Sequence, residues 1–396
     1  MKRNEKSFVS IILLGIIVCI AVGSITLVLF VFRSDRVVDL VEKNSIISVL
    51  FTVGEKDHLD MMELYLYNPA TKKSALFHLP ANLWTMIEPL NRYDILEVMY
   101  NQSDFRPLMQ KVEKLTSVKV DFFIDIDFRE MEQIVDLLGG LEVFIPNPVD
   151  TEVNGERILL EAGSVIVDGE KIKELLKVEL PDDTDLETAE RKQQIVRAIL
   201  QRIIDYKDSG LLFKPEAFHV FMQNIQTDLS EAEVKSLLHE YETVILDHLI
   251  SNRVHGTTIS HESRGMIFSP NDQGDYLRLT VKKTIEYMAG TGEIRPEDLI
   301  VKLDVLNGTE TSRLAAKAAN IYKKYGYEIL TVANADVQNA EKTVIIANNG
   351  NEKIAKEIGT IIRCRNVQPP KPDTVRKSRA DYTIILGNDF DGQYCK

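Results

Sequence analysis

Residues 8–32, FVSIILLGIIVCIAVGSITLVLFVF, run for 25 positions without a charge. No other stretch limits the possible folds so strongly. A run of this length spans a bilayer as a tilted helix, so the rest of the chain must fold apart from it. Lys2, Arg3 and Lys6 precede the run. The positive-inside bias then predicts a cytoplasmic tip, a single span, and everything from about residue 33 outside. Ala21 and Gly23 could imitate a signal-peptide cleavage site, but the apolar run continues well past the 7–15 residues of such a signal. A retained anchor is the expectation, with Cys19 a residue of the membrane helix.

The formal charge of −13 excludes a nucleic-acid partner, since nothing here would neutralise a row of phosphates. Cys364 and Cys395 are the two cysteines beyond the apolar run, and their sequence separation leaves open whether they pair. The seven histidines show no metal-ligand spacing, and His255 and His261 read as surface residues.

Hydropathy patterning then gives the elements. SIISVLFTVG at 45–54 is an apolar strand, and Met62, Leu64, Leu66 and Ala75, Phe77, Leu79 alternate on either side of an Asn-Pro turn as a hairpin. A helix over 104–117, the strand KVDFFIDIDF, a helix closed by Gly139-Gly140, and the strand LEVFIP follow. Thr184 and Glu187 have capping-box spacing, which starts a helix near Asp185 with Val196, Ile199, Leu200 and Ile203 as its buried stripe. Ser230 is the expected N-cap of a further helix. This order implies an α/β fold: a three-layer domain with a mixed sheet over residues 39–290, after a tip and anchor at 1–38. Residues 296–396 restart the pattern as a small α/β domain of strand, helix, two strands, short helix and closing strand. Asn307-Gly308-Thr309 reads as a strand-to-helix turn in which Gly308 permits a tight bend.

DDTDLETAERKQQIVRAIL at 182–200 raises the question of a phosphate site. Arg191 projects along the edge of the buried stripe, where a cation needs a partner or open water. A helical ion pair to Glu187 or Glu190 is the structural alternative.

Five segments in order resemble the LytR-CpsA-Psr family of membrane-anchored envelope proteins: the hairpin around Asp60, DFFIDIDFREMEQIVDLLGGLEVFIP, LEAGSVIVDGE, DTDLETAERKQQIV and NIQTDLS. The last 100 residues resemble the LytR C-terminal domain that often follows. The resemblance implies transfer of a glycopolymer from a polyprenyl-pyrophosphate carrier to peptidoglycan or another envelope acceptor. It implies arginines on the pyrophosphate, carboxylates that place Mg²⁺ or act as base, and an apolar pocket for the prenyl tail. Asp60 matches the family's aspartate, as catalytic residue and metal ligand; at the helix start Arg191 matches as a catalytic and substrate-binding residue, and Asp183 and Asp185 match as substrate-binding ones. Lys177 replaces an arginine of the substrate site, while His58, Ala81, Glu179 and Thr188 also stand at arginine positions. With so few of the cations left, the expectation is a carrier-binding envelope protein with transferase activity weak or lost. An active Mg²⁺-dependent glycopolymer phosphotransferase with an altered site, or a pure protein-interaction scaffold, are the alternatives. The C-terminal domain reads as a binding module for glycan or protein.

Overall fold

The computed structural model describes residues 35–145, 148–153, 156–177, 185–290, 301–325, 327–336, 338–350, 352–369 and 380–396. The apolar run at 8–32, Glu179, Asp183 and the Thr184 cap lie outside the described residues, as does the Glu187 side chain. Among the described residues no helix is long and apolar enough to cross a membrane.

Helix α1 (Arg36–Glu42) leads into strands β1 (Ile47–Glu55), β2 (His58–Tyr67) and β3 (Ser74–His78). Strands β4 (Trp84–Ile87) and β5 (Arg92–Ile95) form a side hairpin, and helix α2 (Arg106–Thr116) leads to β6 (Phe122–Asp127). After helix α3 (Met131–Leu137) come β7 (Leu141–Ile145), β8 (Val149–Val153), β9 (Glu156–Leu160) and β10 (Gly163–Val167). Helices α4 (Gly169–Lys177), α5 (Asp185–Asp205) and α6 (Pro215–Gln223) precede the short β11 (Gln226–Thr227) and helix α7 (Glu231–Tyr241). Strands β12 (Leu249–Arg253), β13 (Gly256–His261) and β14 (Gly265–Pro270) and helix α8 (Asp275–Ala289) complete the larger domain.

The main sheet has six strands in the order β11-β6-β1-β2-β3-β12. It is mixed, because β6 runs parallel to β1 and β12 parallel to β3, while the β1–β2 and β2–β3 pairs are antiparallel. Helices cover both faces. Val49, Phe51 and Tyr65 pack with α3, α5, α6 and α7. Leu50, Leu64 and Phe77 pack with α2 and α8. The three layers expected from the element order are therefore present. The hairpin is not amphipathic, however: Met61, Tyr65 and Tyr67 are as buried as Met62, Leu64 and Leu66. A sheet covered on both faces selects apolar residues at every position.

Local signals hold in detail. Gly139 and Gly140 take φ of 69° and 84° after α3, a left-handed backbone that suits glycine. Ser230 and Glu233 form the reciprocal capping box of α7. The C-terminal domain comprises β15 (Lys302–Asn307), helix α9 (Leu314–Lys324), β16 (Glu328–Asn334), β17 (Val344–Ala347), helix α10 (Glu352–Ile361), β18 (Val367–Gln368) and β19 (Tyr382–Leu386). Its sheet order is β16-β15-β19-β17-β18, so the last strand closes the domain from the middle. Gly308 is needed for close approach: a Cβ there would lie 2.8 Å from Leu386 O.

Candidate functional site

The register of β1 against β2 shifts once. Val53 faces Met61 and Gly54 faces Leu59, which leaves Asp60 as the extra residue of a β-bulge. Strict alternation would put Asp60 in the layer under α2 and α8 with Met62 and Leu64. Leu59 occupies that layer instead, and the Asp60 carboxyl feels the charges of Lys177 and Lys192 from helices on the other face. Gly54 is what permits this, since a Cβ there would sit 2.4 Å from His58 O.

Asp60 is 11% exposed, and its Oδ1 lies 3.6 Å from His58 Nε2. His58 Nδ1 is 2.8 Å from Glu97 Oε1, which also accepts the Leu59 N–H at 2.9 Å. Burial raises the Asp60 pKa, opposed by the positive fields of His58, Lys192 and Lys177. A carboxyl so placed is suited to take a proton from an approaching hydroxyl.

Beside it lies a buried pair. Glu63 and His78 face each other across β2 and β3, with Oε1 and Nδ1 2.6 Å apart. Gln193 Nε2 donates to Glu63 Oε2 at 3.4 Å and to Asn252 O at 2.6 Å. Burial pushes the Glu63 carboxyl up, and His78 opposes it. Arg253 faces His78 across β12 and β3, which directs it to the same face. The Lys192 charge opposes the burial-driven rise at both Asp60 and Glu63.

Lys192 stands at one end of a stripe on α5. One and two turns on, Val196 and Leu200 line an apolar cavity of about 70 Å³ between sheet and helices, with Phe51, Tyr65, Phe221 and Leu237. That volume is a fraction of the roughly 300–1,000 Å³ of an open ligand pocket, so a prenyl chain would have to part the helices. An apolar cavity thus lies between sheet and helices, smaller than the prenyl pocket that the resemblance implies.

The structure brings together only part of the expected residue set. Lys177, exposed at the end of α4, has its Nζ 4.8 Å above the Phe128 ring while its field reaches Asp60. Arg191 is half-buried on α5 immediately before Lys192. Asp185 begins α5, its side chain outside the described residues. Ala81 packs against the apolar layer of the opposite face. Lys192, Glu97, Glu63 and His78 were not picked out from sequence. Glu63 and His78 did leave a signal: one acid and one base, equidistant from the turn, interrupt two apolar strands. His255 and His261 are half-buried, His255 edge-on to Tyr276 and His261 against Trp84.

Fold and site together define a three-layer α/β domain with buried carboxylates and, on α5, a lysine one turn before the wall of an apolar cavity. The chain belongs to the LytR-CpsA-Psr family, whose model matches residues 39–283. A second model, described as LytR cell envelope-related transcriptional attenuator, matches residues 300–390. Among curated relatives, the polyisoprenyl-teichoic acid–peptidoglycan teichoic acid transferase TagU of Bacillus licheniformis is 22% identical over 203 residues, covering 50% of this chain and 64% of that protein. TagV of Bacillus subtilis is 20% identical over 220 residues, covering 52% and 55%. The matched region thus spans less than two thirds of these relatives. Among solved structures, B. subtilis TagV aligns with a TM-score of 0.52 at 16% identity, covering 61% of this chain and 98% of that one. The protein gbs0355 of Streptococcus agalactiae aligns with a TM-score of 0.53 at 18% identity, covering 62% and 90%. At these identities the likeness is one of fold.

Proposed function

We propose that the chain is a single-pass protein of the cytoplasmic membrane, its bulk extracytoplasmic, that binds a polyprenyl-(pyro)phosphate-linked glycan in cell-envelope assembly. The curated relatives' names, which specify polyisoprenyl-linked teichoic acid and peptidoglycan, support the substrate class. The observation that carries the reading is the α5 stripe, with Lys192 followed at helical spacing by Val196 and Leu200 of the cavity wall. A cation one helical turn from an apolar slot suits an anionic head on a hydrocarbon tail. Arg191, Lys192 and Lys177 would hold the phosphates, and Asp60 would accept the proton of an acceptor hydroxyl.

Mg²⁺ takes oxygen ligands, commonly one or two carboxylates with substrate phosphates. Asp60 and Glu97 could supply the carboxylates once His58, 71% exposed and set between them, swings out. Among the described residues no group of three or more His, Cys, Asp and Glu side chains could hold a metal by itself. The phosphates would complete the coordination, and the metal would neutralise charge on the leaving group.

Transfer is weak in this reading, because Ala81, Thr188 and Glu179 leave the transition state without donors that the resemblance implies. Titration of the purified chain with polyprenyl phosphate, beside a transfer assay with a polyprenyl-pyrophosphate glycan and peptidoglycan, tests it. Lipid binding with slow or absent transfer is the expected result. Rapid Mg²⁺-dependent transfer would establish the altered but active phosphotransferase. Failure to bind either lipid would leave the protein-interaction scaffold.

A further inference from the structure

The C-terminal tail folds back on itself. Asp391 Oδ1 accepts the N–H groups of Gln393 and Tyr394, each at 2.9 Å, and Phe390 bridges to Cys395 as an antiparallel pair. The Cys395 N–H then donates to Ile362 O at 2.7 Å. That carbonyl lies two residues before Cys364, whose own N–H closes α10 on Gly359 O at 2.8 Å. The turn is tight because residue 359 is glycine: a Cβ there would lie 2.3 Å from Cys364 O. Cys364 is buried, and Cys395 packs against the same apolar cluster.

From this placement we infer that Cys364 and Cys395 form an intramolecular disulfide that fastens the C-terminus to the end of α10. Both are free thiols in this structure, and the bond from Cys395 N–H to Ile362 O keeps their backbones close. The thiols also act on each other directly. Hydrogen bonding to Cys395 is the leading cause that lowers the Cys364 pKa, while Cys364 raises that of Cys395. Cys395, half-buried where Cys364 is buried, is the thiol that an external oxidant can reach.

Its Sγ attacks one sulfur of an external disulfide, forming a mixed disulfide and releasing one thiolate, which takes up a proton. Cys364, on losing its proton, then attacks Cys395 Sγ and expels the second thiolate, which takes up a proton. Two electrons and two protons pass from the protein to the oxidant, which leaves as two thiols.

The bond reaches beyond the tail. Arg363 and Tyr394, the residues that precede the two cysteines, stack with the guanidinium carbon 4.0 Å from the ring centre. Both line a cleft of about 610 Å³ between α8 and the C-terminal domain, whose opposite wall includes Tyr276 and Lys283. The covalent loop it closes, from 364 to 395, contains β19, the central strand of its sheet. Oxidation therefore ties together the two residues, Arg363 and Tyr394, that form this part of the cleft wall.

The test uses the full chain, which has three cysteines, equilibrated in reduced and oxidised glutathione, then alkylated and mapped by peptide mass spectrometry. A linked 364–395 peptide is expected, leaving Cys19 as the alkylated thiol. The thermal midpoint of the C-terminal domain should rise by roughly 10 °C over the reduced protein. Cys395→Ser, at a half-buried position, should fold yet lose both the link and the rise. Alkylation of both Cys364 and Cys395, or a glutathione adduct on each, would overturn the inference. So would a linked form no more stable than the reduced one.

Discussion

Arg36, in the first helix after the apolar N-terminal run, donates its Nε to Glu233 Oε1 at 2.7 Å, across 197 positions of sequence. The same guanidinium reaches Asp228, and the Glu233 carboxylate also closes the α7 capping box. The contact fastens the segment nearest the apolar run to the helix layer over the cavity. Burial would raise the Glu233 pKa, but hydrogen bonds from Arg36 and Ser230 outweigh it and hold the carboxyl at about 2, below its ordinary 4.5. Its folded value is depressed, so its stabilisation is complete above about pH 4.5 and is lost as pH falls towards 2. Glu233→Gln should cost about 1–3 kcal/mol at pH 7 and flatten that acid limb. Denaturant titrations at pH 7, 4 and 3 measure both effects.

Asp125 behaves in the opposite sense. It accepts hydrogen bonds from Thr52 Oγ1 at 2.6 Å and Tyr100 Oη at 3.1 Å, yet burial pushes its pKa up to about 6 from 3.8. The folded chain therefore binds this proton more tightly, and stability falls as pH rises from about 4 through 6. Asn keeps an acceptor for both hydroxyls. Asp125→Asn should raise stability at pH 7 by about 1–3 kcal/mol, at roughly 1.4 kcal/mol per pKa unit, with little gain near pH 4. Unchanged melting across that range would show that the carboxyl stays solvated.

Arg191 and Lys192, one turn before the cavity wall on α5, should separate head from tail. Lys192→Ala is expected to weaken binding of polyprenyl phosphate by roughly 10–100-fold, the worth of about 1.5–3 kcal/mol for a charged hydrogen bond. Affinity for the uncharged prenyl alcohol, which depends on buried apolar area, should barely move. Arg191→Ala should act in the same direction. Equal losses for both lipids would place the lysine away from the headgroup.

Filling the cavity makes the complementary test. Val196→Phe puts an aromatic ring into the apolar space beside Phe51 and Leu237. Overpacking a filled core costs about 1–3 kcal/mol, and the cavity should bring the loss to the low end. Both lipids should then bind less well, measured on protein whose folding has been confirmed by circular dichroism.

Topology is open to a direct check. A single span at residues 8–32 with its basic end inside predicts that protease added to intact spheroplasts digests the bulk of the chain. Protection until lysis would reverse the orientation.

The elements and their ends were legible because each is written in local chemistry. Ser230 and Glu233 specify a helix start by their spacing, Gly139 and Gly140 a helix end by their tolerance of positive φ, and the hairpin a turn at Asn68-Pro69. Alternation also marked Met62, Leu64 and Leu66 as buried, but it could not show that Met61 and Tyr65 meet a second layer of helices. Periodicity records that a side chain avoids water without naming the element that covers it.

The site was legible only in outline. Asp60 and Lys177 were marked by resemblance, but the bulge that turns Asp60 towards α5 depends on the close approach of His58 O that Gly54 permits, a contact between two strands. Lys192 gains its importance from the bulge and from the buried Glu63–His78 pair, neither of which lies on its helix. Likewise β19, last in the sequence, becomes the central strand because β15 and β17 each leave an edge for it to pair with. The sequence by itself determined the secondary elements, their caps and the apolar faces, since these depend on neighbours within a turn or a pleat. Strand order, the aim of Asp60 and the company of Lys192 were decided by tertiary structure, because each depends on atoms brought together from distant parts of the chain.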